Sequence, residues 1–306
     1  MLNRHGKLNN QELRIENTNL CNAHCSICPR EKLSRPLATM CYGVFTTLVD
    51  QGISLGIRNV SVFGYGEPLI DVNIGDKILY CTSLGLKTHI TTNASLLTRD
   101  KCYEMMDVGL KNIRFSFHAI SPLSYERVHR RLDWLKVWSN FAQFLDINDS
   151  RGHPCAVHIT NIPLHGESIE SIRSTWERYC DYLEIWKPHN WGGGRAYRKL
   201  KRRKKTCGRP FNGPVQIQAD GDVIPCCFLT NSELILGNIH DDRLIDILNG
   251  DKYKELQHAH KTGILDGLPC DSCDQLNLEE ENPLLYSNRD PDRIIGKTST
   301  CKISVN

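Results

Sequence analysis

Six short runs of β-branched and apolar residues recur through the first 190 residues, with longer amphipathic stretches between them, and this alternation limits the fold more than any other feature of the chain. Repeated βα units of this kind build a parallel sheet covered by helices. The runs predict strands at Leu13–Thr18, Asn59–Phe63, Lys87–Thr92, Asn112–His118, Ala156–Asn161 and Leu183–Lys187. The punctuation agrees. Thr98 is placed to cap a helix over Arg99–Val108 that Gly109 stops, and Leu84–Gly85 closes the helix before the third strand.

Beyond His189 the texture changes. WGGGR leads into Arg198–Lys205 (RKLKRRKK), where seven of eight residues are basic, and then into a cysteine-bearing segment with short strands expected at Pro214–Gln218 and Val223–Pro225. The chain thus divides into a βα domain over 1–190, a basic linker over 191–206, a small cysteine domain over 207–280 and a tail over 281–306. The net charge is +3, yet outside the basic run 31 Lys and Arg face 35 Asp and Glu. Such a strip can neutralise phosphates. An RNA reader also needs stacking aromatics, and only Trp191, Tyr197 and Phe211 flank it, so nucleic acid is not expected as a partner. With 306 residues, 40% of them apolar, the chain can bury a full-sized core. No apolar run approaches the roughly 18 residues of a membrane span, and the N-terminal residues carry no signal-peptide apolar region. A cytoplasmic protein without membrane contact is expected.

Fourteen cysteines kept reduced in that compartment point to metal or redox chemistry rather than disulfides. LCNAHCSICPR sets Cys21, Cys25 and Cys28 in a Cys-x3-Cys-x2-Cys loop directly after the first strand. Three thiolates on one loop suit an iron–sulfur cubane with one iron left open, whereas a structural zinc site is closed by four ligands. A zinc loop completed by His24 or a distant cysteine is the alternative.

This spacing, in this position, resembles the signature of the radical S-adenosylmethionine (SAM) superfamily. The resemblance implies an α/β fold, a partial (β/α)6 TIM-like barrel with a small C-terminal α+β domain. It also implies a [4Fe–4S] cluster on Cys21, Cys25 and Cys28 whose open iron binds SAM through its amino and carboxylate groups. One electron then cleaves SAM to methionine and a 5′-deoxyadenosyl radical. Ile27 departs from the family, which often has an aromatic residue before the third cysteine.

Gly64–Pro68 (GYGEP), at the end of the second strand, resembles the GGEP motif of that family. The resemblance implies Tyr65, Gly66, Glu67 and Pro68 as SAM contacts, with Glu67 on the amino group. Glycines permit close approach, a carboxylate accepts from an ammonium, and proline stiffens the turn. Thr91, Thr92 and Asn93 end the third strand and Ser116 and His118 the fourth, on the edge where βα barrels bind ligands. By resemblance Ser116 is a SAM ribose or carboxylate contact, and Arg130, or Arg127, a partner for the carboxylate. Asn161 and His158 on the fifth strand, and His189, Asn190 and Trp191 after the sixth, are in reach of adenine or substrate. Structural hydrogen bonds account for the histidines equally well, and a solvated helix face for the arginines.

Cys207, Gly221, Cys226, Cys270 and Cys273 form Cx13Gx4C followed by CxxC. The first half resembles the opening of the SPASM extension of radical SAM enzymes. Four thiolates saturate one cubane, so the set resembles the shorter twitch variant, with a second, auxiliary [4Fe–4S] cluster. A four-cysteine zinc ribbon is the other account. Cys227 adjoins a ligand and is the candidate catalytic cysteine.

The resemblance implies an oxidoreductase: the deoxyadenosyl radical abstracts hydrogen from a substrate C–H bond, and the auxiliary cluster takes the second electron of a dehydrogenation. Relatives of this type modify sugars, aminocyclitols, natural products and peptides, so a small-molecule or peptide substrate and a flavodoxin- or ferredoxin-type reductant are expected. An epimerase with Cys227 as hydrogen donor, an RNA-modifying enzyme and a zinc-dependent RNA-binding protein are the alternatives.

Overall fold

The computed structural model describes residues 1–201 and 203–278, and the backbone of 284–287 and 301–302. Strands and helices alternate as β1 (Glu12–Ile15), α1 (Tyr42–Ser54), β2 (Asn59–Val62), α2 (Ile74–Ser83), β3 (Lys87–Thr92), α3 (Arg99–Asp107), β4 (Asn112–Ser116), α4 (Pro122–Val128), α5 (Trp134–Ser150), β5 (Ala156–Asn161), α6 (Ile169–Trp176) and β6 (Tyr182–Ile185). After them come α7 (Arg209–Asn212), β7 (Val215–Ile217), β8 (Asp222–Ile224), β9 (Gly237–Asn238), α8 (Leu244–Asn249), α9 (Asp251–Thr262), β10 (Leu284–Ser287) and β11 (Cys301–Lys302). All six expected βα strands are present, and the βα repeat is that of a partial barrel. β1 ends three residues early because the chain leaves the ladder: Asn17 Nδ2 donates to Pro68 O and Asp71 Oδ2, and Met40 N donates to Asn17 O. Among the described residues no helix is long and apolar enough to cross a membrane.

The chain gathers into two compact units, each built from separate stretches. The first holds Met1–Cys21, Pro29–Thr88 and His189–Leu278. In it β1 pairs parallel with β2 on one side and β7 on the other, and β8 and β9 extend the sheet antiparallel. Leu13, Ile15, Val60, Val62, Val215 and Ile217 make a wholly buried face. The helix α1 lies so close that a Cβ on Gly52 would meet Leu13 and Ile57. Gly221 turns the β7–β8 hairpin at φ +91°, a conformation open to glycine.

The basic segment, expected as a linker, is fastened along residues 271–277 of the same unit. Arg198 Nε donates to Asp274 at 2.7 Å and Arg203 Nη1 to Asp271 at 2.7 Å. Lys201 N donates to Asn277 Oδ1, and Lys204 N to Leu276 O.

The second unit holds Asn22–Cys28, His89–Pro188 and Glu279–Asn306. β3, β4, β5 and β6 run parallel, with Ile113 opposite Val157 and Arg114 opposite His158. Ile90, Ile113, Phe115, Val157, Ile159, Leu183 and Ile185 form the apolar face. Aromatic rings from α5 and α6 cover it: Phe115 meets Phe141 at 4.7 Å, and Phe117 stacks on Trp176 at 4.8 Å. Helix starts follow sequence chemistry. Thr98 caps α3 by accepting from Lys101 N, Ser121 and Ser124 form a capping box on α4, and Asp133 caps α5. Cys102, Cys155 and Cys180 are buried as small hydrophobes, as is Cys81 in the first unit. β10 pairs antiparallel with β6, and β11 parallel with β10. The Cys301 side chain and the rest of the 281–306 tail lie outside the described residues.

Candidate functional site

In the first unit the GYGEP turn is laid directly on the chain that leads into Cys21. Glu67 N donates to Leu20 O at 2.8 Å. A Cβ on Gly66 would stand 2.2 Å from Thr18 O and 2.7 Å from Leu20 O, so only glycine permits this approach. The Glu67 carboxylate is buried and accepts from Leu69 N, starting the turn at Pro68. Tyr65 N donates to the buried Glu16 carboxylate, which also takes Ala219 N and an ion pair with Arg35 at 2.6 Å. The Tyr65 hydroxyl donates to Cys227 O at 2.8 Å and accepts from Thr230. Tyr65, expected at SAM, thus ties the glycine turn to the cysteine segment.

In the second unit the loop that carries Cys25 and Cys28 is braced from two sides. His24 N donates to Arg130 O and Ser26 N to Val128 O, so the chain just past α4 runs beside the loop. On the other side Asn93 Nδ2 donates to Asn22 Oδ1 and Asn22 Nδ2 to Ser95 Oγ. Thr92 Oγ1 accepts from Ala94 N, holding Ala94 at φ 65°. Asn93, expected as a SAM contact, is therefore positioned by the cysteine loop itself, and Arg130 meets that loop through its carbonyl. Ile27 is buried with Val128 and Ile162. Asn161 Nδ2 donates to Phe117 O and Ala119 O, leaving its buried Oδ1 without a partner among the described residues. Ser116 pairs in register with Thr160. The sequence reading missed His129, whose Nδ1 lies 3.4 Å from Cys25 Sγ. Burial first, and then neighbouring His118, hold its pKa well below the usual histidine value.

The face of this sheet opposite the apolar one is polar: His89, Thr91, Arg114, Ser116, His158, Thr160 and Glu184 alternate with the core residues. Arg114 Nη2 donates to Glu184 Oε1 at 2.7 Å and Trp186 Nε1 to Oε2 at 3.0 Å. Burial opposes the charge of Glu184, yet Arg114 and then His158 hold its carboxyl far below the ordinary carboxylate range. Burial lowers His158 in turn. Among the described residues Arg114 Nε and Thr160 Oγ1 are buried without protein hydrogen-bond partners, an arrangement suited to a polar guest, while His158 Nδ1 stands 3.7 Å from Glu184 Oε1. The sequence reading named His158 and Ser116 but missed Arg114 and Glu184. Their signal was a charged residue between apolar neighbours in a parallel strand.

Back in the first unit, Cys207, Cys226, Cys270 and Cys273 line one mostly apolar cavity with Pro210, Phe228 and Leu276. Burial pushes the Cys270 and Cys273 thiols up to about 12 and about 11. Arg209 borders the same cavity, 4.9 Å over Phe228, with Nη1 donating to Cys227 Sγ at 3.6 Å. Among the described residues no carboxylate pairs with it. Burial opposes its charge, yet Cys226, Cys227 and Cys207 hold it protonated. Four thiolates around a cubane carry net negative charge, and an uncompensated cation beside them fits such a group. Among the described residues no three Cys, His, Asp or Glu side chains gather on one point, so the thiols are spread around the cavity wall. Cys227 is not on that wall. His189, packed 4.2 Å from Trp191 and 4.5 Å from Phe228, is pushed down to about 4 by burial.

Residues 15–178 match the radical SAM superfamily, and residues 194–274 match SPASM, an iron–sulfur cluster-binding domain. The GTP 3′,8-cyclase of Alkaliphilus oremlandii is 33% identical over 130 residues, 41% of this chain and 40% of that protein. A probable GTP 3′,8-cyclase of Methanothermobacter marburgensis is 31% identical over 40% of each chain. The chain thus spans about two fifths of the length of these relatives. The S-adenosyl-L-methionine-dependent 2-deoxy-scyllo-inosamine dehydrogenase of Niallia circulans is 21% identical over 90% of this chain and 96% of that one. In fold, the chain resembles BtrN in complex with AdoMet and 2-DOIA, with a TM-score of 0.63 and 20% identity over 90% of this chain and 98% of that one. It also resembles Streptococcus suis SuiB bound to precursor peptide SuiA, with a TM-score of 0.67 and 16% identity over 87% and 70%.

Proposed function

The chain belongs to the radical SAM superfamily and carries a SAM-binding [4Fe–4S] site and a SPASM-type iron–sulfur domain, and on that premise we propose that it is a dehydrogenase of a hydroxylated small molecule. When bound, the first cluster supplies the electron that cleaves SAM to a 5′-deoxyadenosyl radical, and the auxiliary cluster accepts the electron released as the substrate is oxidised. The observation that carries the reading is the cavity lined by four cysteines. Four thiolates leave no iron open for a ligand, so that centre is fitted to move electrons.

The chain's own residues do the rest. Cys21, Cys25 and Cys28 hold the SAM-binding cluster, and Cys207, Cys226, Cys270 and Cys273 the auxiliary one. Gly66 and Glu67 shape the turn against which SAM lies, and Asn93 and Asn22 fix the cysteine loop. Thr92, Ser116 and Asn161 stand at the ligand-binding ends of β3, β4 and β5, and Arg130 follows α4. The polar face of β4 to β6 offers Arg114 Nε and Thr160 Oγ1 to substrate hydroxyl groups, while the Arg114–Glu184 pair cancels its own charge. A hydroxyl-rich guest matches such a surface better than an acidic one. The full-length likeness to a dehydrogenase of an aminocyclitol supports the same class. In this reading 1–190 is the catalytic barrel, 191–206 the basic connection, 207–280 the electron-transfer domain and 281–306 a tail. The protein works in the cytoplasm with a flavodoxin- or ferredoxin-type reductant and without nucleic acid.

The test is iron and sulfide content of anaerobically reconstituted protein, with 5′-deoxyadenosine release from SAM under dithionite, using 2-deoxy-scyllo-inosamine as the probe substrate. We expect about eight irons, falling to about four with SAM cleavage abolished in the Cys21→Ala/Cys25→Ala/Cys28→Ala protein. Zinc in place of iron would overturn the reading. Deoxyadenosine release with an epimerised rather than oxidised product would replace dehydrogenation by epimerisation.

A further inference from the structure

Two backbone hydrogen bonds bring Cys25 and His129 together. His24 N–H donates to Arg130 O at 2.9 Å and Ser26 N–H to Val128 O at 2.8 Å. They bracket residue 25 on one stretch and residue 129 on the other, so the two side chains meet, and Cys25 Sγ lies 3.4 Å from His129 Nδ1. The other ring nitrogen, Nε2, lies 3.3 Å from His118 N. A backbone N–H only donates, so Nε2 must accept. An imidazole that accepts at Nε2 carries its proton on Nδ1. The tautomer is thus assigned by the backbone, and the proton is directed at sulfur.

The ring has little freedom to turn away. It is 1% exposed, stacked on Tyr125 at 4.4 Å and 20° and on His118 at 5.3 Å and 12°.

We propose that His129 donates an N–H···S hydrogen bond to the Cys25 thiolate of the SAM-binding cluster and thereby raises that cluster's reduction potential. The inference rests on the assignment of Cys25 as a cluster ligand. Reduction adds an electron whose charge is shared by the thiolates, so a donor on one of them stabilises the reduced form more than the oxidised form. Hydrogen bonds to the sulfurs are among the factors that set iron–sulfur potentials. His129 is therefore a tuning residue: it touches the ligand, not SAM or substrate, and it governs how readily a weak biological reductant can load the cluster.

The experiment compares wild type, His129→Gln and His129→Phe as full-length, anaerobically reconstituted protein. Iron is counted, and the signal that responds to added SAM is followed by electron paramagnetic resonance through a redox titration. Exchangeable-proton coupling to that signal is read by electron–nuclear double resonance in H2O and D2O. In His129→Phe we expect the midpoint to move to more negative potential by a tenfold or greater change in the reduction equilibrium, 59 mV for a one-electron couple, with one exchangeable coupling lost. His129→Gln, which keeps an N–H, should fall between Phe and wild type. A His129→Phe protein that holds the SAM-responsive cluster with unchanged midpoint and coupling would overturn the inference. So would loss of that cluster's iron from both variants, which would make His129 a scaffold residue. Loss from His129→Phe alone, with His129→Gln near wild type, would support the need for a donor. Absence of any SAM-responsive cluster in wild type would instead sink the ligand assignment, and this inference with it.

Discussion

At Gly66 the packing leaves room for a hydrogen and nothing more, because the atoms nearest an added methyl, Thr18 O, Leu20 O and Thr18 C, all belong to the backbone. Gly66→Ala should therefore cost about 1–3 kcal/mol and displace the turn that precedes Cys21. Thermal melting, paired with SAM affinity measured by calorimetry, checks both effects. His189 makes a different kind of prediction. Its folded-state pKa is about 4, while the unfolded chain takes up a proton near the ordinary value of about 6.5. Between those values the unfolded state binds more protons, so the stabilisation is fully present above about pH 6.5 and is lost as the pH falls toward 4. The loss should be roughly 3 kcal/mol by pH 4. Urea unfolding of the iron-free chain across that range reads it, and the slope should be shallower in His189→Gln. The amino-acid string admitted a structural role for both residues without fixing it. A glycine in GYGEP shows that close approach is possible but not what approaches, and a histidine after a strand carries no sign of its burial.

At the scale of elements, the basic run shows what spacing conceals. Seven cations in eight residues read as a solvated linker, because nothing local suggests a partner. The partners are Asp274 and Asp271, some seventy residues away and beside the two cysteines of the CxxC pair. The two ion pairs should differ in worth. Asp274 is 1% exposed and also accepts from Asn190 N, so Asp274→Ala removes both a largely buried ion pair and that amide contact and should cost about 3 kcal/mol. The Arg203–Asp271 pair is 35% and 46% exposed, and its removal should cost less than about 1 kcal/mol. Chemical denaturation of both variants, with auxiliary iron counted after mild heating, separates a clamp from a surface pair. By contrast the helix starts were readable, because an N-cap works within three residues of itself: Thr98 accepts from Lys101 N as its position implied. Thr98→Ala should lower stability by about 1 kcal/mol.

Across the whole molecule the two cysteine sets call for separate losses. Replacing Cys226 and Cys270 by Ala should leave about four irons and SAM cleavage intact while abolishing two-electron oxidation of the probe substrate. A parallel loss of deoxyadenosine release would show that the cavity also supports the first centre. What the sequence determined by itself is what repeats at short range: the six strands, from the alternation of apolar and polar residues, and the three-cysteine loop, from thiols close enough along the chain to share one centre. Only the tertiary structure decided the rest. It gathered Cys207, Cys226, Cys270 and Cys273 on one cavity wall beside Arg209, paired Arg114 with Glu184 across the strands, and set His129 under Cys25. Those contacts join residues tens of positions apart, where chain spacing puts no limit on distance and burial decides which charges must find partners.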